Sequence, residues 1–236
     1  MRLDKYLASM GLGTRSEIKK LINQKRVQVN GETIRKSDYK VQEGKDHIQL
    51  DGQSVHYQAH IYIMMNKPQG VITANKDDRH KTVMDLVGQA YGSREIHAVG
   101  RLDKDTEGLL ILTNDGDFNH SIMSPKRHVK KTYYVEVDGP VDQNHIQAFA
   151  NQLPIDKGDI CQASDLEIIE AGDQGSRVYL TIQEGKYHQV KRMFMAFKLR
   201  VTFLKRVAIG GLALDPDLGL GDHRLLTQEE VDLIKG

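Results

Sequence analysis

A single cysteine, Cys161, stands among the 236 residues. It excludes an intrachain disulfide and any multi-cysteine zinc site, and it fits a reducing, cytoplasmic setting. Long apolar runs are missing as well. Runs such as "LLIL" fall far short of the roughly 20 residues that a membrane-spanning helix needs. The N-terminal "MRLDKYLASMG" lacks the extended apolar centre of a secretory signal. No internal repeat and no low-complexity tract is present, so a repeat array is not expected. Nor is there an excess of one charge: the formal net charge is +1, and the molecule as a whole is no polycation. At about 39% hydrophobic residues, the chain is long enough for one large core, or for a small domain beside a medium one.

The charge is unevenly spread. Residues 1–58 hold 11 Lys+Arg against 7 Asp+Glu, and the remainder holds 22 against 25. The first part is therefore expected to meet something acidic. Leu3, Tyr6, Leu7 and Met10 share one helical face, which Gly11 and Gly13 terminate. Thr14 then opens a second helix, with Glu17 completing a capping box. Ile18, Leu21 and Ile22 form its apolar face, and Arg15, Lys19, Lys20, Lys25 and Arg26 crowd its polar side. Only Glu17 and Glu32 oppose these cations between Arg15 and Lys36. A solvated helix face would account for an isolated cluster, but one-signed charge is what phosphate binding requires. Val27 and Val29 alternate into the turn Asn30-Gly31, and "HIQLDG" reads as a further strand ending at Asp51-Gly52.

From residue 59 a larger unit is expected. Ile61–Met65 reads as a buried strand, Asn66–Gly70 as a loop, Val71–Ala74 as another strand, and Val83, Leu86 and Val87 as a short helix. "KKTYYVEVDG" alternates, with Tyr133, Val135 and Val137 on one face. "SRVYLTIQEG" alternates likewise, and "RVTFLKRVAIGGLAL" returns to strand. Val190, Met193, Phe194 and Phe197 define a helix, and Thr227 caps a closing one. Strands joined by hairpin-like turns, with peripheral helices, predict an α+β fold on a mostly antiparallel mixed sheet. The expected division is a small domain over 1–58 and a larger one over 59–236.

The densest cluster of acids is "GRLDKDTEGLLILTNDG", Gly100–Gly116. Asp103, Asp105, Glu107 and Gly108 mimic the first positions of an EF-hand. The twelfth, however, is Asn114 rather than a bidentate Glu, and the flanks read as strand. Asp103 and Asp105 are too close in sequence to flank a sugar as a glycosidase pair. For an arbitrary Asp in a glycine-rich turn, backbone capping is the ordinary role.

Four segments together change that reading. "VGRLDKDTEGLLILTNDG", "NKPQGVITA", "KKTYYV" and "EGKYHQVKRMF" resemble, in order and spacing, the motifs of the RsuA-type pseudouridine synthases. "RVAIGGLAL" and "HRLLTQEEVDLI" are similar to the family's closing strand and helix. The first 58 residues resemble the alpha-L RNA-binding module, so the likeness runs through the whole chain. Within the family the match is best to members acting on small-subunit (16S) ribosomal RNA at uridine 516. Large-subunit members tend to carry Asn-Arg-Glu where this chain has Tyr187-His188-Gln189.

The resemblance implies a reaction in which uracil leaves its ribose, turns, and rejoins it through carbon 5, with no cofactor and no metal. It makes Asp103 the catalytic carboxylate, acting by covalent attack or by assisting a sugar-centred elimination. Burial beside an apolar strand disfavours a charged carboxylate, and a facing cation opposes that effect. Lys191 occupies the matching position, where many relatives have Arg with its bidentate fork, and Arg192 is the alternative. Judged without the family, Lys191 would be an exposed helix lysine. Tyr133 is expected to stack on a flipped-out base, unless it is simply a core tyrosine. Arg101 is assigned to the RNA gap or a phosphate, against a salt bridge to Asp105 or Glu107. Lys67 is placed along the cleft. Asp105, Thr106, Glu107 and Gly108 are taken to shape the loop, and His188 to serve helix packing rather than acid catalysis. Arg15, Lys19, Lys20 and Arg26 are expected to grip RNA. The expected partner is ribosomal RNA within an assembling small-subunit particle, with no membrane and the protein a monomer. The competing readings are large-subunit rRNA or tRNA as substrate, or an RNA-binding assembly factor without catalysis.

Overall fold

The protein is described by a computed structural model covering residues 1–55, 60–88, 90–91, 95–124 and 127–235. Two compact units emerge, one of Met1–Ile61 with Val87–Ile96 and one of Tyr62–Leu86 with His97–Gly236. The expected boundary at 58/59 lies outside the described residues.

The first unit opens with α1 (Leu3–Ser9) and α2 (Arg15–Asn23). Thr14 caps α2 as its sequence demands: its hydroxyl accepts from the Glu17 amide at 3.3 Å, and the Glu17 carboxylate accepts from the Thr14 amide at 2.7 Å. Strands β1 (Val27–Val29), β2 (Glu32–Thr33), β3 (Ile48–Leu50) and β4 (Gln53–Val55) form a sheet in the order β2-β1-β3-β4. Both hairpin turns have positive φ at their two central residues, Asn30 and Gly31 at 51° and 83°, Asp51 and Gly52 at 52° and 80°. This is the geometry for which Asn-Gly and Asp-Gly are selected. Leu3, Tyr6, Leu7, Ile18, Ile22, Val27, Val29 and Ile48 make the core.

The second unit is built on one large sheet. Its elements in chain order are β5 (Tyr62–Lys67), α3 (Val83–Val87), β6 (His97–Val99), β7 (Glu107–Thr113), α4 (Gly116–Met123), β8 (Lys131–Val137), α5 (Gln143–Phe149), β9 (Leu153–Pro154), β10 (Ile160–Cys161), β11 (Asp165–Glu170), β12 (Ser176–Ile182), α6 (Gln189–Met195), β13 (Val201–Ile209), β14 (Leu212–Ala213), β15 (His223–Leu225) and α7 (Gln228–Lys235). The sheet runs β11-β12-β8-β13-β7-β5-β15, with β6 beside β7 and β14 beside β13. Every pairing is antiparallel except β13 with β7, which is parallel and joins only Lys205 to Glu107 and Arg206 to Gly108. Val71–Ala74 is not a strand. Ile72 makes an isolated bridge to Thr82, and the Thr73 hydroxyl bonds both the amide and the carbonyl of Leu102, at 3.1 and 2.8 Å. That side chain ties the segment to the acid loop without any strand ladder.

One sheet face is covered by α4 and α7, whose Phe118, Ile122, Val231 and Ile234 pack on Met64, Leu109, Ile111 and Ile209. The other face carries Tyr133, Val135 and Val137, buried at alternate positions of β8. The parallel seam is tight. Gly108 has φ +101°, and a Cβ there would lie 2.2 Å from the Arg206 carbonyl oxygen. Gly108→Ala is therefore expected to destabilise the protein by about 2–3 kcal/mol, through backbone strain and forced separation of β7 from β13. Thermal unfolding of the variant checks this, and an unchanged midpoint would contradict it.

Candidate active site

The acid cluster forms the loop between β6 and β7, and it hangs on a buried lysine. Lys67, the last residue of β5, is fully buried. Its Nζ donates to the carbonyls of Pro68, Asp103 and Thr106 at 3.1, 2.9 and 2.9 Å. Three donors meet three backbone acceptors, so the ammonium is saturated by the loop it supports. Burial pushes Lys67 down to about 8, partly offset by the carboxylates of Asp103, Asp105 and Glu107. The cleft-lining role expected for Lys67 is thus corrected: this lysine lies beneath the cleft, out of reach of any RNA.

Asp103 projects from the clamped loop, its side chain 31% exposed. It meets α6 and the residue just before it. Lys191 Nζ is 3.3 Å from Asp103 Oδ2, and His188 Nε2 is 3.6 Å from Oδ1. Lys191 also pairs with Asp105 Oδ1 at the shorter distance of 2.6 Å. The lysine expected to face Asp103 alone is shared between two carboxylates. Burial pushes the Asp105 carboxyl up, but the hydrogen bond and charge of Lys191 outweigh it, and Asp105 sits below its ordinary value. Tyr133 comes from β8 and is nearly buried. Arg101, Asp103, Tyr133, His188 and Lys191 line one cavity of about 80 Å³. A larger concavity, about 500 Å³, opens among Thr132, Tyr179, Lys205 and Leu218. Thr132 and Tyr133 point to opposite sides of β8, so this hollow belongs to the other face and holds none of the loop acids.

The remaining expected residues separate into free and occupied. Arg101 is exposed, and it joins no ion pair among the described residues, so the salt bridge to Asp105 or Glu107 is not formed. Arg192 does not face Asp103. Its guanidinium binds Asp156 Oδ1 at 2.5 Å, Asp159 Oδ2 at 2.7 Å and the Tyr187 carbonyl at 3.2 Å, a structural brace in place of the RNA contact expected for it. In the first unit Lys19 and Lys20 are exposed without a paired carboxylate among the described residues. Arg15 is held toward Asp4 at 3.4 Å, and Arg26 is bound by Asp51 at 2.6 Å, so the charge of both is already countered within the unit. Asp4 itself is buried. Burial opposes its ionisation, yet hydrogen bonds from Arg2 and Arg15 hold its carboxyl below the ordinary range. His188, Lys67 and Arg192 stand where the sequence did not put them. The signal for His188 was its adjacency to the helix bearing Lys191; for Lys67 there was no local signal.

A carboxylate held between the Lys191 ammonium and the His188 ring, above an aromatic floor and beside an exposed arginine, suits chemistry on a base extruded from RNA. Residues 61–196 match the RNA pseudouridylate synthase family, and residues 1–48 match the S4 domain. The class is therefore that of enzymes isomerising uridine within RNA. An uncharacterized RNA pseudouridine synthase of Bacillus subtilis (strain 168) is 42% identical over 99% of this chain and 98% of its own. The ribosomal small subunit pseudouridine synthase A of Escherichia coli (strain K12) is 39% identical, over 98% of each chain. A crystal structure of a pseudouridylate synthase superposes with a TM-score of 0.69 at 37% identity, covering 99% of both chains. The chain belongs to the RNA pseudouridylate synthase family, as an RsuA-type member with an S4 domain ahead of the synthase domain.

Proposed function

We propose that the protein converts one uridine of small-subunit (16S) ribosomal RNA, the one at position 516, into pseudouridine, with Asp103 as the reacting carboxylate. The observation that carries this reading is the convergence of Asp103, Tyr133 and Lys191 on one cavity. The small-subunit assignment follows the full-length likeness to the Escherichia coli relative. In the reaction the bond from sugar C1′ to N1 breaks, one from C1′ to C5 forms, the proton on C5 is released, and N1 takes up a proton, so that the product is an isomer of uridine. Asp103 is the group that meets the sugar, and Lys191 supplies a positive charge 3.3 Å from its carboxylate. Tyr133 provides the face on which the extruded uracil lies. Arg101 takes a phosphate or fills the space left in the RNA, and exposed Lys19 and Lys20 supply sequence-independent attraction. The deciding experiment supplies RNA tritiated at uridine C5 as free 16S rRNA, as small-subunit assembly particles, as large-subunit rRNA and as tRNA. Release confined to small-subunit substrates, mapped to one uridine, is the expected result. Release from another RNA would move the substrate, and binding without release would leave an assembly factor.

Lys191 provides a sharper test of the field. Lys191→Met is expected to lower single-turnover tritium release by about 10²-fold, the scale of losing one aimed charge. Asp105→Asn, which frees Lys191 for Asp103, is expected to stay within about tenfold of wild type. Equal losses in both variants would show that the three groups act only as a structural cluster.

A further inference from the structure

Tyr187 has the highest exposure of the large hydrophobic side chains among the described residues, at 73%. Its hydroxyl makes no hydrogen bond among them, and only its carbonyl serves the fold, as an acceptor for Arg192. Yet the ring is not loose. It stacks on His188 with centroids 3.8 Å apart and planes 17° from parallel. His188 is held in the left-handed region, at φ 50° and ψ 32°, a conformation that costs a non-glycine residue free energy. A network keeps it there. The Lys186 amide donates to Gln189 Oε1 at 2.8 Å, Gln189 Nε2 donates to Glu184 Oε1 at 2.8 Å, and Lys186 Nζ binds Glu184 Oε2 at 3.0 Å. Arg192, anchored by Asp156 and Asp159, fixes the Tyr187 carbonyl. A strained, braced loop thus presents two stacked rings, the inner beside Asp103 and the outer open to solvent.

We infer that the Tyr187–His188 stack is a platform for the base of a nucleotide adjacent to the reacting uridine in single-stranded RNA. This rests on the function proposed above. Tyr187 lies one ring further out than His188, so the base it receives neighbours the one that reaches Asp103. Base stacking on an aromatic face is tolerant of sequence and is the common way in which unpaired RNA is held. Exposed Arg101, which lines the cavity with Asp103 and His188, is placed to take the phosphate between the two nucleotides.

The test uses small-subunit RNA fragments with 2-aminopurine placed in turn on either side of the uridine mapped by tritium release. Binding is read in the Asp103→Asn background, so the RNA stays unreacted, and turnover is read in the active protein. Tyr187 and Tyr187→Phe are expected to quench the probe at one of the two positions, and Tyr187→Ala to lose the quench. Tyr187→Ala is also expected to raise KM about tenfold, within the range of one base–aromatic stack, with kcat changed by less than about threefold. An abasic site at that nucleotide should erase the KM difference between Tyr187 and Tyr187→Ala. Unchanged quench and KM in Tyr187→Ala, or a loss confined to kcat, would overturn the platform. If the unsubstituted protein released no tritium from any RNA, the isomerase assignment would fail instead, and the quench scanned across bound RNA would still decide the platform.

Discussion

Asp103→Asn is expected to reduce tritium release by at least about 10⁴-fold, the scale on which enzymes lose turnover when the reacting group is removed. The same variant is expected to bind RNA and to unfold within about 2 °C of wild type. The geometry supplies the reason for this split. Asparagine keeps the shape of aspartate, and Lys191 is not left alone, because Asp105 already holds it at 2.6 Å. Asp103 is also partly exposed, so water solvates whatever polarity remains, and no uncompensated buried charge is created. Single-turnover tritium release and thermal unfolding, run side by side, make the check. Wild-type turnover in Asp103→Asn would remove the carboxylate from the mechanism altogether.

Lys67→Met is expected to act through the fold. It strips the donors from three backbone carbonyls, those of Pro68, Asp103 and Thr106. Each buried acceptor left dry costs about 1–3 kcal/mol, and the relief of no longer burying an ammonium offsets part of that sum. A net loss of about 3–5 kcal/mol follows, or roughly 10 °C in the unfolding midpoint for a protein of this size. Turnover should fall with it, since the carbonyl of Asp103 itself loses its anchor. The same lysine gives pH dependence with two opposite signs. Burial lowers its folded value to about 8 from the ordinary 10.5. Between these the unfolded chain holds more protons, so the contribution of Lys67 to stability rises as pH rises. The neutral amine, however, has two protons for three carbonyls, so the loop bearing Asp103 loosens over the same range. Turnover is expected to decline above about pH 8 while the Lys67 contribution to stability, taken as the difference between wild type and Lys67→Met, moves upward. A wild-type profile flat to pH 9 would refute the coupling.

Much of the architecture was legible because its signals are local. Thr14 and Glu17, Asn30-Gly31, Asp51-Gly52 and the alternation of Tyr133, Val135 and Val137 each act within a few residues, and each is found as expected. Asp103 and Lys191 were legible through family motifs, and the structure brings them to 3.3 Å. What escaped depends on distant partners. Lysine ordinarily reads as exposed, and nothing near Lys67 announces carbonyls 36 and 39 positions away. Lys191 and Arg192 are neighbours on one short helix, and only its packing decides that one turns to Asp103 and the other to Asp156 and Asp159. Val71–Ala74 has the composition of a strand, but the Thr73 side chain takes up the backbone of Leu102.

The narrow parallel contact between β7 and β13 has a consequence for how the protein comes into being. Asp103 and Lys67 belong to the chain segments on one side of that contact, while Lys191, His188 and Tyr133 belong to the other. The pair that meets at the carboxylate is separated by 88 positions along the chain, whereas the strands on either side are mostly closed by nearer neighbours. Loops of that length close late, because their entropy is lost before distant contacts compensate for it. The β7 flank is itself closed by β15, which pairs with β5 from near the far end of the chain, so the reactive centre is a product of late docking between distant segments. A newly made chain would hold the locally closed first unit before it brought Asp103 and Lys191 together, so the cavity around the carboxylate is among the last features to form.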